Sequence, residues 1–233
     1  LNVRCETPVL CVDFSSDSER ILAGCEDGSL GIWKVESGHN VRKFSGHTGP
    51  VRCAIFATEK NLIASGSDDG TIRIWDPDSG IETKTLVGQR SSVESVAFYA
   101  DESKLISGGS NSPIKIWDLG TATLESVLPG HGQRIRSLSL SPDGLNLASV
   151  GNENVVRIWP ESTLRGPTYR LRGGIGGSRG VAISPDGTRI ANVGRPTLIE
   201  IFDATDGQIL QELIGHECPI NDIAYSPDGS VIA

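Results

Sequence analysis

The sequence predicts an all-β protein assembled from a repeated unit of short antiparallel strands. Three observations carry this prediction. The run SGSDDGTIRIWD, residues 65–76, reads as two strands joined by a tight turn. Asp69-Gly70 supplies the turn, because glycine tolerates positive φ and aspartate bonds the backbone beside it. Ile72 and Ile74 alternate with Thr71, Arg73 and Trp75, which is the period of a strand. The run then returns in altered form, ending at Lys34, Asp118, Pro160 and Asp203. The spacing is the third observation. Trp33, Trp75, Trp117 and Trp159 follow one another at 42 residues, and Phe202 comes 43 residues later. A period of this size marks a repeat architecture, in which each unit buries its faces against its neighbours.

Composition agrees. The 233 residues include 28 glycines and 12 prolines, which suits many turns between short strands and not long helices. No stretch approaches the ~18 apolar residues of a membrane span, and no signal-peptide pattern opens the chain. The chain begins with leucine and holds no methionine. That leads to the expectation of an excised or processed segment. The net charge of −8 makes nucleic acid an unexpected partner, since phosphate binding needs a basic footprint. Cys5, Cys11, Cys25, Cys53 and Cys218 are odd in number and lack metal-ligand spacing, so they read as reduced thiols of an intracellular protein. Four histidines, at most one per repeat, give no zinc constellation. No metal and no cofactor are expected.

Two further markers keep step with the tryptophans. Gly46-His47, Gly88-Gln89, Gly130-His131, a degraded Gly173-Gly174 and Gly215-His216 precede each unit. Ser141-Pro-Asp-Gly144, Ser184-Pro-Asp-Gly187 and Ser226-Pro-Asp-Gly229 recur inside it. Gly-His at the start and Trp-Asp at the end of a unit of ~40–45 residues resemble the WD40 family of β-propellers. The resemblance spans essentially the whole chain. It implies an all-β propeller with four-stranded blades. The blades fall at about residues 8–45, 50–87, 92–128, 134–172 and 178–213, with an incomplete sixth at 219–233. Neither six nor seven repeats of 42 residues fit within 233, so the expectation is part of a six- or seven-bladed ring. The junction after blade 4, residues 162–177, carries a one-residue insertion and a glycine-rich run. That run lacks the Lys-Ser/Thr of a phosphate-binding loop and no helix is expected after it, so it reads as a flexible connection.

The resemblance also implies a buried relay within a blade, from the His of Gly-His to the turn Asp and, through a strand hydroxyl, to the Trp. Blade 2 has the full set, His47, Ser65, Asp69 and Trp75. Blade 4 has His131, Ser149 and Trp159 with Glu153, one methylene longer. Blade 3 has Gln89, Ser107, Asn111 and Trp117. Blade 1 keeps Asp27 and Trp33 beside Cys5 and Ala23. Blade 5 has lost the set, with Gly174, Asn192, Pro196 and Phe202. A buried indole N–H, imidazole and carboxylate each need partners, which assigns these residues to stability. His47, Ser65 and Asp69 have the types of a catalytic triad, but their recurrence from blade to blade argues against one. No catalytic residue is assigned and no enzymatic activity is expected.

Function is then expected from surfaces. In the family, partner contacts concentrate at the start of the first strand and just before the turn Asp. These positions are Pro8, Leu10 and Glu26; Pro50, Arg52 and Asp68; Ser92, Glu94 and Ser110; Arg134, Arg136 and Asn152; Arg179 and Arg195; and Pro219 and Asn221. Five are arginine in an acidic chain, four of them on blades 4 and 5. Arginine grips carboxylates and phosphates bidentately. The leading expectation is a non-catalytic scaffold for a multiprotein complex, whose arginine face holds an acidic or phosphorylated partner segment. The competing reading of that face is solvated arginines paired with Glu26, Asp68 or Glu94. The alternative function is a targeting or sensor module of a larger regulatory protein, such as a ubiquitin ligase, kinase or nucleotide-driven switch. A cytoplasmic or nuclear setting, without membrane contact, is expected. Lys104, Lys115 and Arg157 read as ordinary charges that point between blades or outward, and Arg73, Lys115 and Arg157 share one strand position.

Overall fold

The computed structural model describes residues 5–89, 91–110, 112–129, 131–153, 155–160, 169–172, 177–195 and 197–233. Among them are twenty strands and no helix. The strands form five four-stranded antiparallel sheets. The first holds β1 (Val9–Phe14), β2 (Arg20–Cys25), β3 (Leu30–Lys34) and β4 (Asn40–Phe44). The second holds β5 (Val51–Phe56), β6 (Ile63–Ser67), β7 (Thr71–Trp75) and β8 (Glu82–Val87). The third holds β9 (Val93–Phe98), β10 (Lys104–Gly109), β11 (Ser112–Asp118) and β12 (Thr123–Leu128). The fourth holds β13 (Ile135–Leu140), β14 (Asn146–Gly151), β15 (Val155–Pro160) and β16 (Tyr169–Arg172). The fifth holds β17 (Val181–Ile183), β18 (Arg189–Arg195), β19 (Leu198–Asp203) and β20 (Ile209–Ile214). In every sheet the strand order follows the chain. Each sheet corresponds to one of the five complete blades expected from the sequence and is called a blade below.

Local chemistry explains the meander. Gly70, at φ +80°, closes the turn between β6 and β7, a conformation that side chains with a Cβ resist. The Ser-Pro-Asp-Gly runs turn the chain from first to second strand. Ser184 Oγ–H donates to Asp186 Oδ1 at 2.6 Å, and the same carboxylate accepts Thr188 N–H at 3.0 Å. In blade 3 the glycine of that turn is replaced by Glu102, whose φ is +50°. Its buried carboxylate accepts the main-chain N–H groups of Thr58, Glu59 and Lys60, at 2.5–2.8 Å. Glu102 therefore clasps the corresponding turn of blade 2.

The first strands of blades 1 to 4 carry a β-bulge. Their pairing with the second strand skips Leu10, Arg52, Glu94 and Arg136. Burial shows the same slip, since Val51 and Ala54, Val93 and Val96, and Ile135 and Leu138 are buried three residues apart. A bulge bends the strand and re-aims the skipped side chain.

The chain divides into two compact units. In the first, residues 1–109 with 116–126, Leu22, Ile32, Phe44, Val51, Ile63 and Trp75 form one core cluster. Phe44 meets Trp75 edge to face, with centroids 5.6 Å apart. A second cluster joins Ile72, Ile74, Leu86, Val93, Leu105 and Trp117. In the second unit, residues 110–115 with 127–233, Val150, Val156, Ile158, Val181, Ile190 and Phe202 pack together. Beyond β20 the expected sixth blade shows one isolated bridge, Tyr225 to Ile232. Ile223 packs with Val193, Ile199 and Ile201 of blade 5.

Candidate functional site

Blade 2 holds a continuous relay. His47 Nδ1–H donates to Asp69 Oδ2 at 2.9 Å, which leaves Nε2 to accept Ser65 Oγ–H at 2.8 Å. Ser65 Oγ in turn accepts Trp75 Nε1–H at 2.8 Å. Asp69 also accepts Thr48 N–H, Thr71 N–H and Thr71 Oγ1–H. Burial works against the Asp69 carboxylate, but the bonds from Thr71, Thr48 and His47 outweigh it and hold its pKa near 2. Burial lowers the pKa of His47, so the imidazole is neutral. Ser65 is fully buried, and its hydroxyl is committed at both ends. No substrate can meet it there.

The other blades vary this theme. In blade 3, Gln89 Nε2–H and Trp117 Nε1–H both donate to Ser107 Oγ, at 2.7 and 2.8 Å. Asn111 lies outside the described residues, as do Gly174 and Pro196 of blade 5. In blade 4, His131 and Trp159 both meet Ser149 Oγ, at 2.7 and 2.8 Å. The longer Glu153 reaches past the histidine. It bonds Gly132 N–H and the Arg157 guanidinium, and stays 3.6 Å from His131 Nδ1. Burial, then repulsion from Arg157, drives His131 down to about 4, against the pull of Glu153. In blade 5, Asn192 Nδ2–H approaches Glu200 Oε2 at 3.4 Å, both side chains buried.

Blade 1 departs in a different way. Cys5 stands at the His47 position, Ala23 at that of Ser65, Gly31 at that of Arg73 and Asn40 at that of Glu82. In blade 2 the Arg73–Glu82 ion pair and the His47 ring fill this space. In blade 1 three truncated side chains leave it open. Trp33 has turned onto Gly31, where an added Cβ would lie 2.2 Å from the ring. A cavity of about 260 Å³ remains, lined by Cys5, Glu6, Cys25, Ser29, Leu30, Gly31, Trp33, Asn40 and Lys43.

The bulged positions form the second site. Arg52 grips Asp68 with two bonds, Nε to Oδ1 at 2.9 Å and Nη2 to Oδ2 at 2.6 Å. Ser92 Oγ–H donates to Glu94 at 2.6 Å. Arg136 Nε–H donates to the Asn152 amide oxygen at 2.8 Å. Arg134 O accepts Asn152 N–H at 2.9 Å, as Pro50 O accepts Asp68 N–H. Arg179 is exposed and donates to the Asn221 amide oxygen; among the described residues it has no carboxylate partner. Arg195 ends β18, opposite Leu198. The bulge brings the skipped arginines, Arg52 in blade 2 and Arg136 in blade 4, to the residue before the turn.

A family model for the WD domain, G-beta repeat, matches residues 3–34, 38–76, 80–118, 122–160 and 207–233, well over half of the chain. The chain belongs to the WD40-repeat family. No curated protein matches it. The internal matches are offset from the sheets: residues 38–76 span β4 to β7, the last strand of one blade and the first three of the next. The matches leave out residues 161–206, which include the blade 5 strands where Asn192 and Phe202 replace the family residues. WD40 repeats form protein–protein interaction modules, generally non-catalytic.

The sequence reading missed three features. The bulges are legible in retrospect, as apolar residues three apart in strands of otherwise alternating pattern. The Glu102 clasp leaves a weaker mark, a glutamate where three other blades have glycine. Lys115 and Arg157, read as ordinary charges that point between blades or outward, are only 7% and 5% exposed. Arg157 reaches Glu153.

Proposed function

We propose that this WD40 chain is a non-catalytic scaffold whose blade 4 and 5 arginines hold an acidic or phosphorylated segment of a partner protein. One contrast carries the reading. Arg52 is neutralised by a bidentate carboxylate, whereas Arg179 donates to a neutral amide and keeps its full charge at an exposed position. The sequence makes this systematic. The residue before the turn is Asp68 in blade 2, Asn152 in blade 4 and Arg195 in blade 5. The acidic residue at this position is replaced where arginines gather, in a chain of net charge −8. An exposed guanidinium presents a planar fork that matches carboxylate and phosphate.

The test uses the full chain against a panel of acidic and phosphoserine peptides, read by fluorescence polarisation at two salt concentrations. Binding should weaken as salt rises, because exposed charges are screened. The double variant Arg136→Glu/Arg179→Glu should lose on the order of tenfold in affinity or more, about 1.4 kcal/mol. Lys34→Glu, an exposed charge reversal in blade 1, should leave binding unchanged. Equal binding by the double variant and the wild type would refute the reading.

A further inference from the structure

We propose that Cys5 and Cys25 form a thiol pair that takes up a low-molecular-weight disulfide in the blade 1 cavity and closes to an intramolecular disulfide. Both side chains line that cavity of about 260 Å³. Cys5 is half-buried and Cys25 buried. Their nearness also shows in the chemistry of Cys5. Burial first, then the neighbouring Cys25 thiol, pushes its pKa up to about 11.

The position gives the pair a role. In blade 2, His47 and Thr48 N–H bond Asp69, which ties the segment before the first strand to the turn between the second and third. Blade 1 has no histidine to make that tie. Cys5 occupies its place, and Cys25 occupies the place of Ser67, whose hydroxyl accepts the Asp69 N–H. A Cys5–Cys25 bond would join the same two segments covalently. The other thiols of this unit are engaged elsewhere. Cys11 Sγ–H points to Val51 O, and Cys53 Sγ–H to Gly66 O and Val93 O, each at 3.9 Å.

The reaction is thiol–disulfide exchange. The Cys5 thiol loses its proton, and its sulfur attacks one sulfur of the small disulfide. The S–S bond breaks, one small thiolate leaves and takes up a proton. The Cys25 sulfur, also deprotonated, then attacks the Cys5 sulfur of the mixed disulfide, and the second small thiolate leaves and is protonated. The protein has lost two hydrogens, and the small disulfide has become two thiols. The cavity admits the cysteinyl end of such a molecule because Gly31, Asn40 and Cys5 are smaller than their blade 2 counterparts.

The test equilibrates the full chain in oxidised or reduced glutathione, alkylates the remaining thiols and maps them by tandem mass spectrometry. The oxidised sample should show Cys5 joined to Cys25, with Cys11, Cys53 and Cys218 alkylated. Cys11→Ser should keep the link, and Cys5→Ser and Cys5→Ala should lose it. In urea, the oxidised wild type should have a folded-to-unfolded ratio about 250-fold above the reduced protein, the gain for closing a loop of about 20 residues. Cys5→Ser should show no such difference between the two buffers. Cys5 and Cys25 both remaining alkylatable in oxidised glutathione, or each carrying its own glutathione, would overturn the proposal. So would a disulfide that joins Cys25 to a cysteine other than Cys5, or a Cys5–Cys25 link that lowers the urea midpoint of the wild type.

Discussion

Replacing Asp13 by asparagine should stabilise the protein at neutral pH and do nothing in acid. Asp13 lies on β1 with its carboxylate turned to β5, where it accepts Phe56 N–H at 2.7 Å. Burial raises its pKa from 3.8 to about 6, against the lowering effect of the Phe56 and Phe14 N–H groups. An unfolded chain gives up this proton near 3.8, and the folded one holds it until about 6. Below 3.8 both states are protonated and the group costs nothing. As pH rises through 6 the folded state must bury a charge that the unfolded state leaves in water. The difference corresponds to about 3 kcal/mol of stability lost by pH 7.5, an upper figure since relaxation and water penetration reduce it. Asparagine keeps the acceptor for Phe56 and carries no charge. Urea unfolding followed by tryptophan fluorescence should give Asp13→Asn a gain of about 1–3 kcal/mol at pH 7.5, shrinking to about 0.5 kcal/mol or less at pH 4 and to nothing near pH 3. A gain independent of pH, or a loss at pH 7.5, would refute the account of this carboxylate.

Other substitutions test the blades. Asp69→Ala leaves His47 Nδ1 and Thr48 N–H without their acceptor and should cost on the order of 1–3 kcal/mol in urea melts. Glu102→Ala removes the acceptor of three main-chain N–H groups and should cost a similar ~1–3 kcal/mol. Faster hydrogen exchange at Thr58, Glu59 and Lys60 should accompany it. His131 titrates near 4 in the fold and near 6.5 outside it, so its contribution is present above 6.5 and lost as pH falls toward 4. His131→Gln, which copies the Gln89 arrangement of blade 3, should lie within about 1 kcal/mol of wild type at pH 8. It should be the more stable of the two at pH 5, by up to about 2 kcal/mol. A difference between the two proteins that does not change with pH would rule out titration of the buried imidazole.

The strands were legible because each has a short-range cause. Alternation over Thr71–Trp75, the turn glycine at Gly70 and the 42-residue step of the tryptophans each act within a few residues or within one repeat. The relay types were legible for the same reason, since a buried indole N–H needs an acceptor wherever it recurs. What the sequence hid depends on side-chain length and on partners far along the chain. Glu153 has one methylene more than Asp69, and that methylene carries it to Arg157 and Gly132, leaving His131 Nδ1 at 3.6 Å. Arg52 and Arg179 look alike in sequence, yet one is neutralised by Asp68 and the other, among the described residues, donates to the neutral amide of Asn221. Glu102 acts 42–44 residues away. The Cys5–Cys25 neighbourhood appears only when three truncations coincide around Trp33. Pairing by cysteine count had no means to find it.

The most direct test separates the residues that hold the blade from those that meet the partner. The same acidic or phosphorylated peptide is titrated against Asp69→Ala and against Arg136→Glu/Arg179→Glu, at a temperature where both variants are folded, with a melting curve for each. The account predicts a lower melting point with intact peptide affinity for the first variant, and an unchanged melting point with affinity reduced tenfold or more for the second. Intact affinity in the arginine variant would contradict it.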